Sequence, residues 1–100
     1  MILNIVNKSP SISSALSQCL VQLADGDALL FTEDGVLATL DTPGNQEWLA
    51  RCPRNITFYV LRDDLVARGV LERALPEFQQ VDYGEWVDLV AQYPLNQSWF

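Results

Sequence analysis

Cys19 is the residue of this sequence whose chemistry would matter most, because a thiolate can attack a persulfide and then hold the transferred sulfur. Such a thiolate must be accessible, and a helix N-terminus or nearby cations must lower its pKa. Cys19 instead shares a helical stripe with apolar residues, and its nearest charges are Asp25 and Asp27, which would raise its pKa if close. The pattern favours a buried thiol that behaves as a small hydrophobe, with sulfur carrying as the alternative.

Cys52 is the second candidate nucleophile. It stands between Arg51 and the Pro53-Arg54 pair, so its electrostatic setting is better than that of Cys19. We interpret it as an incidental thiol at a helix end. The two cysteines form neither a CxxC motif nor a spacing with histidine, which argues against a disulfide framework and a zinc site. Reduced thiols fit the cytoplasm.

Histidine is absent from the sequence. This absence excludes Ser/His/Asp and Cys/His nucleophile pairs, histidine metal sites and imidazole proton shuttles. Neither the GxGxxG motif nor the P-loop motif is present, and these motifs supply the glycines that let backbone amides reach phosphates. We therefore predict no nucleotide site, no metal and no cofactor.

Acidic residues follow two of the predicted strands, at Glu33-Asp34 and Asp63-Asp64. Ligand sites of open α/β sheets usually lie at such strand ends. Local roles explain these residues more simply, because Asp34 before a glycine is typical of a turn and Asp63 is typical of a helix N-cap. We interpret Arg68 as a cation in the last turn of a helix, with anion binding as the alternative.

The segments that position these residues alternate between strand and helix. Short apolar or β-branched runs predict strands at residues 2–6, 28–31, 56–61 and 79–82. Caps and prolines predict helices from Ser9-Pro10 to Asp25, from 43 to about 51, over 64–68, and from Asp82 or Tyr83 to Pro94. This alternation predicts one domain over residues 1–100, a small three-layer α/β/α fold with a mostly parallel sheet of about five strands.

The last part of the chain is rich in aromatic residues. The final helix is predicted to bury a face formed by Trp86, Leu89, Val90 and Tyr93. Trp99-Phe100 are unusual at the end of the sequence, where residues are normally polar. Either they pack on their own domain or they fill a groove of a partner, and we favour the partner because aromatic residues anchor interfaces.

Composition favours a protein that packs against another subunit and argues against nucleic-acid binding. The sequence of 100 residues is 49% hydrophobic and 19% charged, and its net charge is −7. An average charged share is about 25%, so some apolar surface is expected to face another subunit. The basic residues are dispersed, which argues against direct nucleic-acid binding. No segment is apolar enough to span a membrane and no secretory signal is evident, so we expect a cytoplasmic protein.

Four motifs in fixed order point to a family. They are Asn7-Lys8-Ser9-Pro10, LFTEDGV at residues 30–36, DDLVARG at residues 63–69, and Val81-Asp82-Tyr83. Together they resemble the TusB/DsrH family of small sulfur-relay subunits over essentially the whole chain. Asn7 departs from this pattern, because many TusB-like members have histidine there, and any role of that histidine is not carried over.

The resemblance implies a compact parallel fold of the DsrE/DsrF/DsrH type. It also implies a heterohexamer with two copies each of this chain, a TusC/DsrF-like subunit and a TusD/DsrE-like subunit. In one branch of the family such a complex relays persulfide sulfur, through a TusE-type carrier, toward 2-thiolation of the wobble uridine in certain tRNAs. In the other branch it works with a DsrC-type carrier in cytoplasmic sulfur oxidation.

Two hypotheses follow for this chain. The resemblance places the main sulfur-accepting cysteine in the TusD/DsrE-like subunit, so this chain can be a structural and interaction subunit without chemistry of its own. Alternatively it carries persulfide on Cys19, because DsrH-like members have a cysteine in the first helix. The sequence leaves both open, together with a weaker third, a stand-alone regulatory domain that binds an anion near Arg68.

Overall fold

The computed structural model of the chain describes residues 1–53 and 55–100. Strands and helices alternate along these residues, and 3₁₀ helices lie at Glu33–Thr39 and Leu71–Arg73. The other elements are β1 (Ile2–Val6), α1 (Ala15–Gln22), β2 (Ala28–Phe31), α2 (Pro43–Ala50), β3 (Thr57–Leu61), α3 (Arg62–Ala67), β4 (Gln79–Val81), α4 (Tyr83–Gln92) and β5 (Leu95–Trp99).

The strands form a sheet in the order β4-β3-β2-β1-β5, and each neighbouring pair is parallel. Parallel pairing requires the chain to return to the same end of the sheet, which it does through helical segments. Every residue of β2 is buried, as its uninterrupted apolar run predicts for a strand covered on both faces.

Helices cover both faces of this sheet. On one face, Leu16 of α1, Trp48 of α2 and Leu65 of α3 belong to the same buried cluster. On the other face, Leu89 of α4 packs in a second cluster with Leu3 of β1. The predicted three-layer α/β fold is thus confirmed.

An aromatic group fills the core on the α1–α3 face. The rings of Phe31 and Phe78 meet edge to face with centroids 5.6 Å apart, and Trp48 lies 5.8 Å from Phe31. Phe58 completes the group at 5.5 Å from Phe78. These edge-to-face and tilted contacts add to the stabilisation that burial of the rings provides.

Local sequence signals set several helix ends. Thr42 caps α2 by accepting a hydrogen bond from the Asn45 amide at 3.2 Å. Asp82 and Glu85 form a capping box at the start of α4, where each side chain accepts the other residue's amide. Gly69, with φ of 67°, follows the last turn of α3. The starts of α2 and α4 agree with the sequence-based prediction, whereas the capping box was not predicted.

Two predicted helix starts were wrong. Helix α1 begins at Ala15, because the Ser9 carbonyl accepts the amides of Ile12 and Ser13 in a turn that precedes the helix. Ile12 is therefore exposed. Helix α3 begins at Arg62 directly after β3, so Asp63 lies in the first turn and is not the N-cap.

The end of the chain also differs from the sequence-based prediction. Val90 is 39% exposed and does not join Leu89 on the buried face of α4. Residues 95–99 form β5, which pairs with β1 and which was not predicted. Trp99 packs against the core of its own sheet, and its indole Nε1 donates to Asn4 Oδ1 at 3.1 Å. The preference for a partner's groove was wrong for Trp99, while Phe100 is 76% exposed.

Candidate functional site

Cys19 lies on the buried face of α1, beside Ala15 and Leu16. Its side chain is 0% exposed and belongs to the large core cluster on that face. Burial, together with the charge of Asp27 and the neighbouring Cys52 thiol, raises the pKa of the Cys19 thiol to about 12. The thiol is therefore neutral near pH 7, which makes it a poor nucleophile in this conformation.

The carboxylate of Asp27, which acts on Cys19, has a structural role. Asp27 is only 3% exposed, and its two oxygens accept the amides of Ile2 and Ala24, each at 2.9 Å. These bonds join the start of β1 to the segment that follows α1. The fold therefore holds a negative charge near Cys19 for reasons unrelated to thiol chemistry.

Cys52 lies at the wall of a cleft between α1 and α2. The cleft has a volume of about 310 Å³, and its other lining residues are Ser17, Leu20, Val21, Trp48, Arg51 and Pro53. Cys52 is half-buried, and burial raises the pKa of its thiol. Cys52 packs against the same core cluster as Cys19, so the fold brings both thiols to one face of the sheet.

Of the two cations expected beside Cys52, the one that the structure describes has a carboxylate partner. Arg51 is exposed and its guanidinium lies 3.5 Å from the Glu47 carboxylate, one helical turn back. Arg54, the other cation of the sequence-based argument, lies outside the described residues. The positive charge of Arg51 was expected to lower the pKa of the Cys52 thiol. The Glu47 carboxylate beside Arg51 weakens that effect.

The acidic pairs that follow β2 and β3 lie close together at the carboxyl ends of these strands. The Glu33 amide donates to Asp64 Oδ2 at 2.6 Å, and Arg68 Nε donates to Asp34 Oδ1 at 2.9 Å. Arg68 also lies 3.6 Å from Asp64 Oδ1. Two carboxylates of the same chain thus neutralise this arginine, which disfavours anion binding there.

Asn7 stands at the end of β1, where the resemblance placed a histidine in many relatives. Its Oδ1 atom is buried and has no hydrogen-bond partner among the described residues. Gly35 packs directly against this segment, since a Cβ atom there would overlap the Val6 carbonyl oxygen and lie 3.2 Å from the Asn7 Cα. The motifs at residues 7–10 and 30–36 are thus in contact.

Sequence reasoning missed the cleft as a feature. Leu20 follows Cys19 on α1, is half-buried and forms part of the cleft wall. The available signal was its position, because Leu20 and Val21 extend the apolar side of α1 beyond the stripe that contains Cys19. The matching wall, Trp48 and Cys52 on α2, requires the tertiary structure.

The described residues contain neither a membrane-spanning helix nor a metal-binding cluster. Within residues 1–53 and 55–100, no helix is long and apolar enough to cross a membrane. Over the same ranges, no group of three or more cysteine, aspartate or glutamate side chains is placed to hold a metal ion.

Comparison with known proteins places the chain in a family. The family model described as DsrH like protein matches residues 8–95. The chain belongs to the DsrH-like family. Protein TusB of Erwinia tasmaniensis is 39% identical to this DsrH-like chain over 84 residues, which are 84% of the chain and 86% of that protein. Protein TusB of Escherichia coli is 32% identical over 97 residues, which are 97% and 99% of the two chains.

A solved structure supports the fold of the DsrH-like chain. The solution structure of protein Tm0979 from Thermotoga maritima superposes with a TM-score of 0.65 at 20% identity. The match covers 91% of the DsrH-like chain and 92% of the other. The resemblance to the TusB/DsrH family is confirmed, and membership in that family supports a sulfur-relay role.

Proposed function

We propose that the chain is a subunit of a heterohexameric sulfur-relay complex that passes persulfide sulfur toward 2-thiolation of the wobble uridine in tRNA. In this complex it is a structural and interaction subunit. The observation that carries this assignment is the state of Cys19, which is 0% exposed and has a pKa raised to about 12. A thiol in this state cannot accept sulfur from a protein-sized donor without local opening of the fold.

The partners of the proposal are a TusC/DsrF-like subunit, a TusD/DsrE-like subunit and a TusE/DsrC-like carrier in the cytoplasm. The chain leaves apolar surface for such partners. Ile12 before α1, Val21 on α1 and Val66 on α3 are 76%, 86% and 56% exposed. Exposed aliphatic side chains on several helices suit a subunit that is surrounded by others.

A second candidate keeps chemistry on this chain, as a DsrH-like subunit of a sulfur-oxidation complex with Cys19 as persulfide carrier. The position of Cys19 favours it. Cys19 precedes Leu20, which lines the cleft that also contains Cys52. A movement of α1 away from α2 would open this cleft toward the Cys19 thiol, and a partner that binds in the cleft would drive that movement.

Native mass spectrometry of the tagged chain, purified from its own host extract, tests the proposal. The assembly mass reports the heterohexamer, and peptide mass spectrometry reports any sulfur atom added to Cys19 or Cys52. We expect a heterohexamer in which Cys19 carries no extra sulfur. A heterohexamer with sulfur on Cys19 would support the second candidate, and a chain recovered without partners would contradict both.

Variants at the two cysteines separate the candidates in the cell. In a host that lacks the native chain, Cys19→Ala and Cys52→Ala should both restore 2-thiolated tRNA to the wild-type level. The Cys52→Ala variant is the matched control, because it removes the other thiol of the same cluster. Loss of thiolation with Cys19→Ala alone, while the variant still assembles, would contradict the structural role.

A further inference from the structure

The two edge strands of the sheet, β4 and β5, differ in how well they are protected against pairing with another strand. Strand β4 has three residues and is followed by the acidic capping residue Asp82, so it offers little to a new strand. Strand β5 has five residues, Leu95–Trp99, and none is charged. Its residues 95–98 are exposed. Natural sheets usually shorten or charge such an edge, and β5 has neither protection.

The surface around β5 is also uncharged. The segments Ser9–Ala24 and residues 89–100 contain no Asp, Glu, Lys or Arg, although the chain has 19 such residues in other segments. Helix α1 lies over β1 and β5. Ser14 and Gln18 lie on the exposed side of α1, and Val21 lies on the same side because residues seven apart share a helix face.

This side of α1, the α1 flank, carries no charged residue. Gln18 Nε2 donates to Ser14 Oγ at 2.9 Å, and both residues lie at the molecular surface. On the other face of the sheet, Asn96 and Ser98 of β5 are exposed next to α4, and Asn96 Nδ2 lies 3.5 Å from the Val90 carbonyl oxygen. The side chains of β5 and of the α1 flank therefore present no charge to a strand added at β5.

The sequence of β5 is complementary to itself in antiparallel register. If Gln97 lies opposite Gln97 of a second copy, Leu95 lies opposite Trp99 and Asn96 lies opposite Ser98. Leu95, Gln97 and Trp99 share one face of the sheet, as the pairing of Ile2 with Leu95 and Val6 with Trp99 shows. Apolar residues then face apolar residues, and amides face amides or hydroxyls, which are favourable cross-strand pairs.

We propose that a second copy of this chain binds at β5 through antiparallel β5–β5 pairing about a two-fold axis at Gln97. Each copy has a net charge of −7, so two copies repel each other unless they meet at an uncharged surface. The β5 edge with the α1 flank is such a surface. The contact satisfies the free backbone groups of the edge and is isologous, the common form of a homodimer contact.

The proposal concerns the chain alone and does not rest on the sulfur-relay function. A chain that dimerises through β5 but recruits no partner in its host would contradict only the proposed function. A chain that assembles with partners but never self-associates would contradict only the β5 contact. In an assembly with two copies of each subunit, the contact would lie on its two-fold axis.

Sedimentation velocity of the purified chain, from about 5 to 200 µM, tests the contact, because small interfaces bind in the micromolar range. We expect a monomer–dimer equilibrium for the wild type. Gln97→Lys and Gln97→Glu each place like charges opposite each other at the axis, so each should weaken dimerisation by about tenfold or more. An equimolar mixture of the two variants should restore the dimer, because the opposed charges then attract.

The matched control is Gln80→Lys, the same substitution at the exposed glutamine of the other edge strand, β4, and it should leave the dimer unchanged. Circular dichroism verifies that each variant is folded. A wild type that remains monomeric up to about 200 µM would overturn the proposal. So would a Gln97→Lys dimer as strong as the wild type, a Gln80→Lys variant that dissociates instead, or a mixture that stays monomeric.

Discussion

Cys19 and Cys52 differ in the surroundings of their sulfur atoms. The Cys19 thiol is enclosed by the core between α1 and the sheet, whereas the Cys52 thiol borders an open cleft. Burial raises the pKa of both thiols, and for Cys19 it reaches about 12. The accessibility of the sulfur atom to solvent therefore distinguishes the two residues more than nearby charge does.

Alkylation should separate the two thiols. In the native chain at about pH 8, iodoacetamide should modify Cys52 at least about tenfold faster than Cys19, since reaction requires an accessible thiolate. Mass spectrometry of peptides after timed quenching measures both rates. In the Cys52→Ala variant the native chain should be nearly unreactive, and denaturant should restore labelling of Cys19. Rapid native labelling of Cys19 would indicate that α1 opens readily.

The stability of the chain should fall at high pH because of Cys19. An ordinary thiol ionises near 9.0, but the folded chain holds the Cys19 proton up to about pH 12. Above pH 9.0 the unfolded state binds fewer protons than the folded state, so the free energy of unfolding decreases as pH rises. Below that pH, the thiol is neutral in both states and has no such effect.

Urea unfolding of the wild type and of Cys19→Ala measures this effect. Between about pH 8 and pH 10, the wild type should lose about 1.4 kcal/mol more than the variant, because other titrating groups are common to both. Parallel pH profiles for the two proteins would show that the Cys19 thiol ionises normally in the folded chain.

Among the secondary-structure elements, the junction between β2 and the following 3₁₀ helix fixes the contact between the carboxyl ends of β1 and β2. The Thr32 amide donates to the Val6 carbonyl at 3.0 Å, and the Gly35 amide donates to the Thr32 carbonyl at 2.9 Å. Gly35 thereby lies directly on the end of β1. Glu33 adopts a φ of 51°, which is unusual for a residue with a side chain.

Gly35→Ala should destabilise the chain by about 2 kcal/mol or more, because its Cβ would overlap the backbone at Val6. Gly44→Ala is the matched control. Gly44 lies in helix α2, and no atom of the described residues comes within 4 Å of a Cβ position there, so alanine should change stability by less than about 1 kcal/mol. Thermal unfolding followed by circular dichroism compares the two. Equal stabilities would mean that the two strand-end motifs are not in tight contact.

Strand β5 depends on Trp99 for its attachment. Trp99→Ala should cost about 2 kcal/mol, since it removes core contacts and leaves the Oδ1 atom of Asn4, a residue only 4% exposed, without its indole donor. Phe100→Ala should change stability by less than about 0.5 kcal/mol, because that side chain is exposed. Chemical denaturation measures both. A larger loss of stability for Phe100→Ala than for Trp99→Ala would contradict the finding that Trp99 is packed and Phe100 is exposed.

At the scale of the whole molecule, charge is distributed unevenly. The net charge of −7 arises from segments outside Ser9–Ala24 and residues 89–100. Arg51 and Arg68 each lie within 4 Å of a carboxylate of the same chain, at Glu47 and at Asp34. Such arginines have little capacity left to neutralise phosphates.

The isolated chain should not bind tRNA. Fluorescence anisotropy with labelled tRNA at about 150 mM salt should show no binding up to about 10 µM chain, because binding depends on clustered cations that release counterions. Repeating the titration at about 20 mM salt checks for a weak electrostatic component. Binding that weakens steeply with salt would reveal a basic surface that the pairing of Arg51 and Arg68 does not suggest.

Several features follow from the sequence alone because they depend on neighbours along the chain. Thr42-Pro43 defines the start of α2, the Asp82 and Glu85 spacing defines the capping box of α4, and the run Ala28–Phe31 defines a buried strand. Alternation of strand and helix then predicts a parallel sheet between two layers of helices, since parallel strands require such crossovers.

Other features were decided by contacts between distant segments. Leu95–Trp99 has a weak strand pattern and becomes β5 because β1 offers it an edge and Asn4 accepts the Trp99 indole. The burial of Cys19 and the cleft at Cys52 likewise depend on how α1 and α2 pack on the sheet. Sequence therefore determined the family, the architecture and the candidate thiols. Which thiol is accessible and which sheet edge is open depend on contacts between distant segments, because burial and edge exposure are properties of packing.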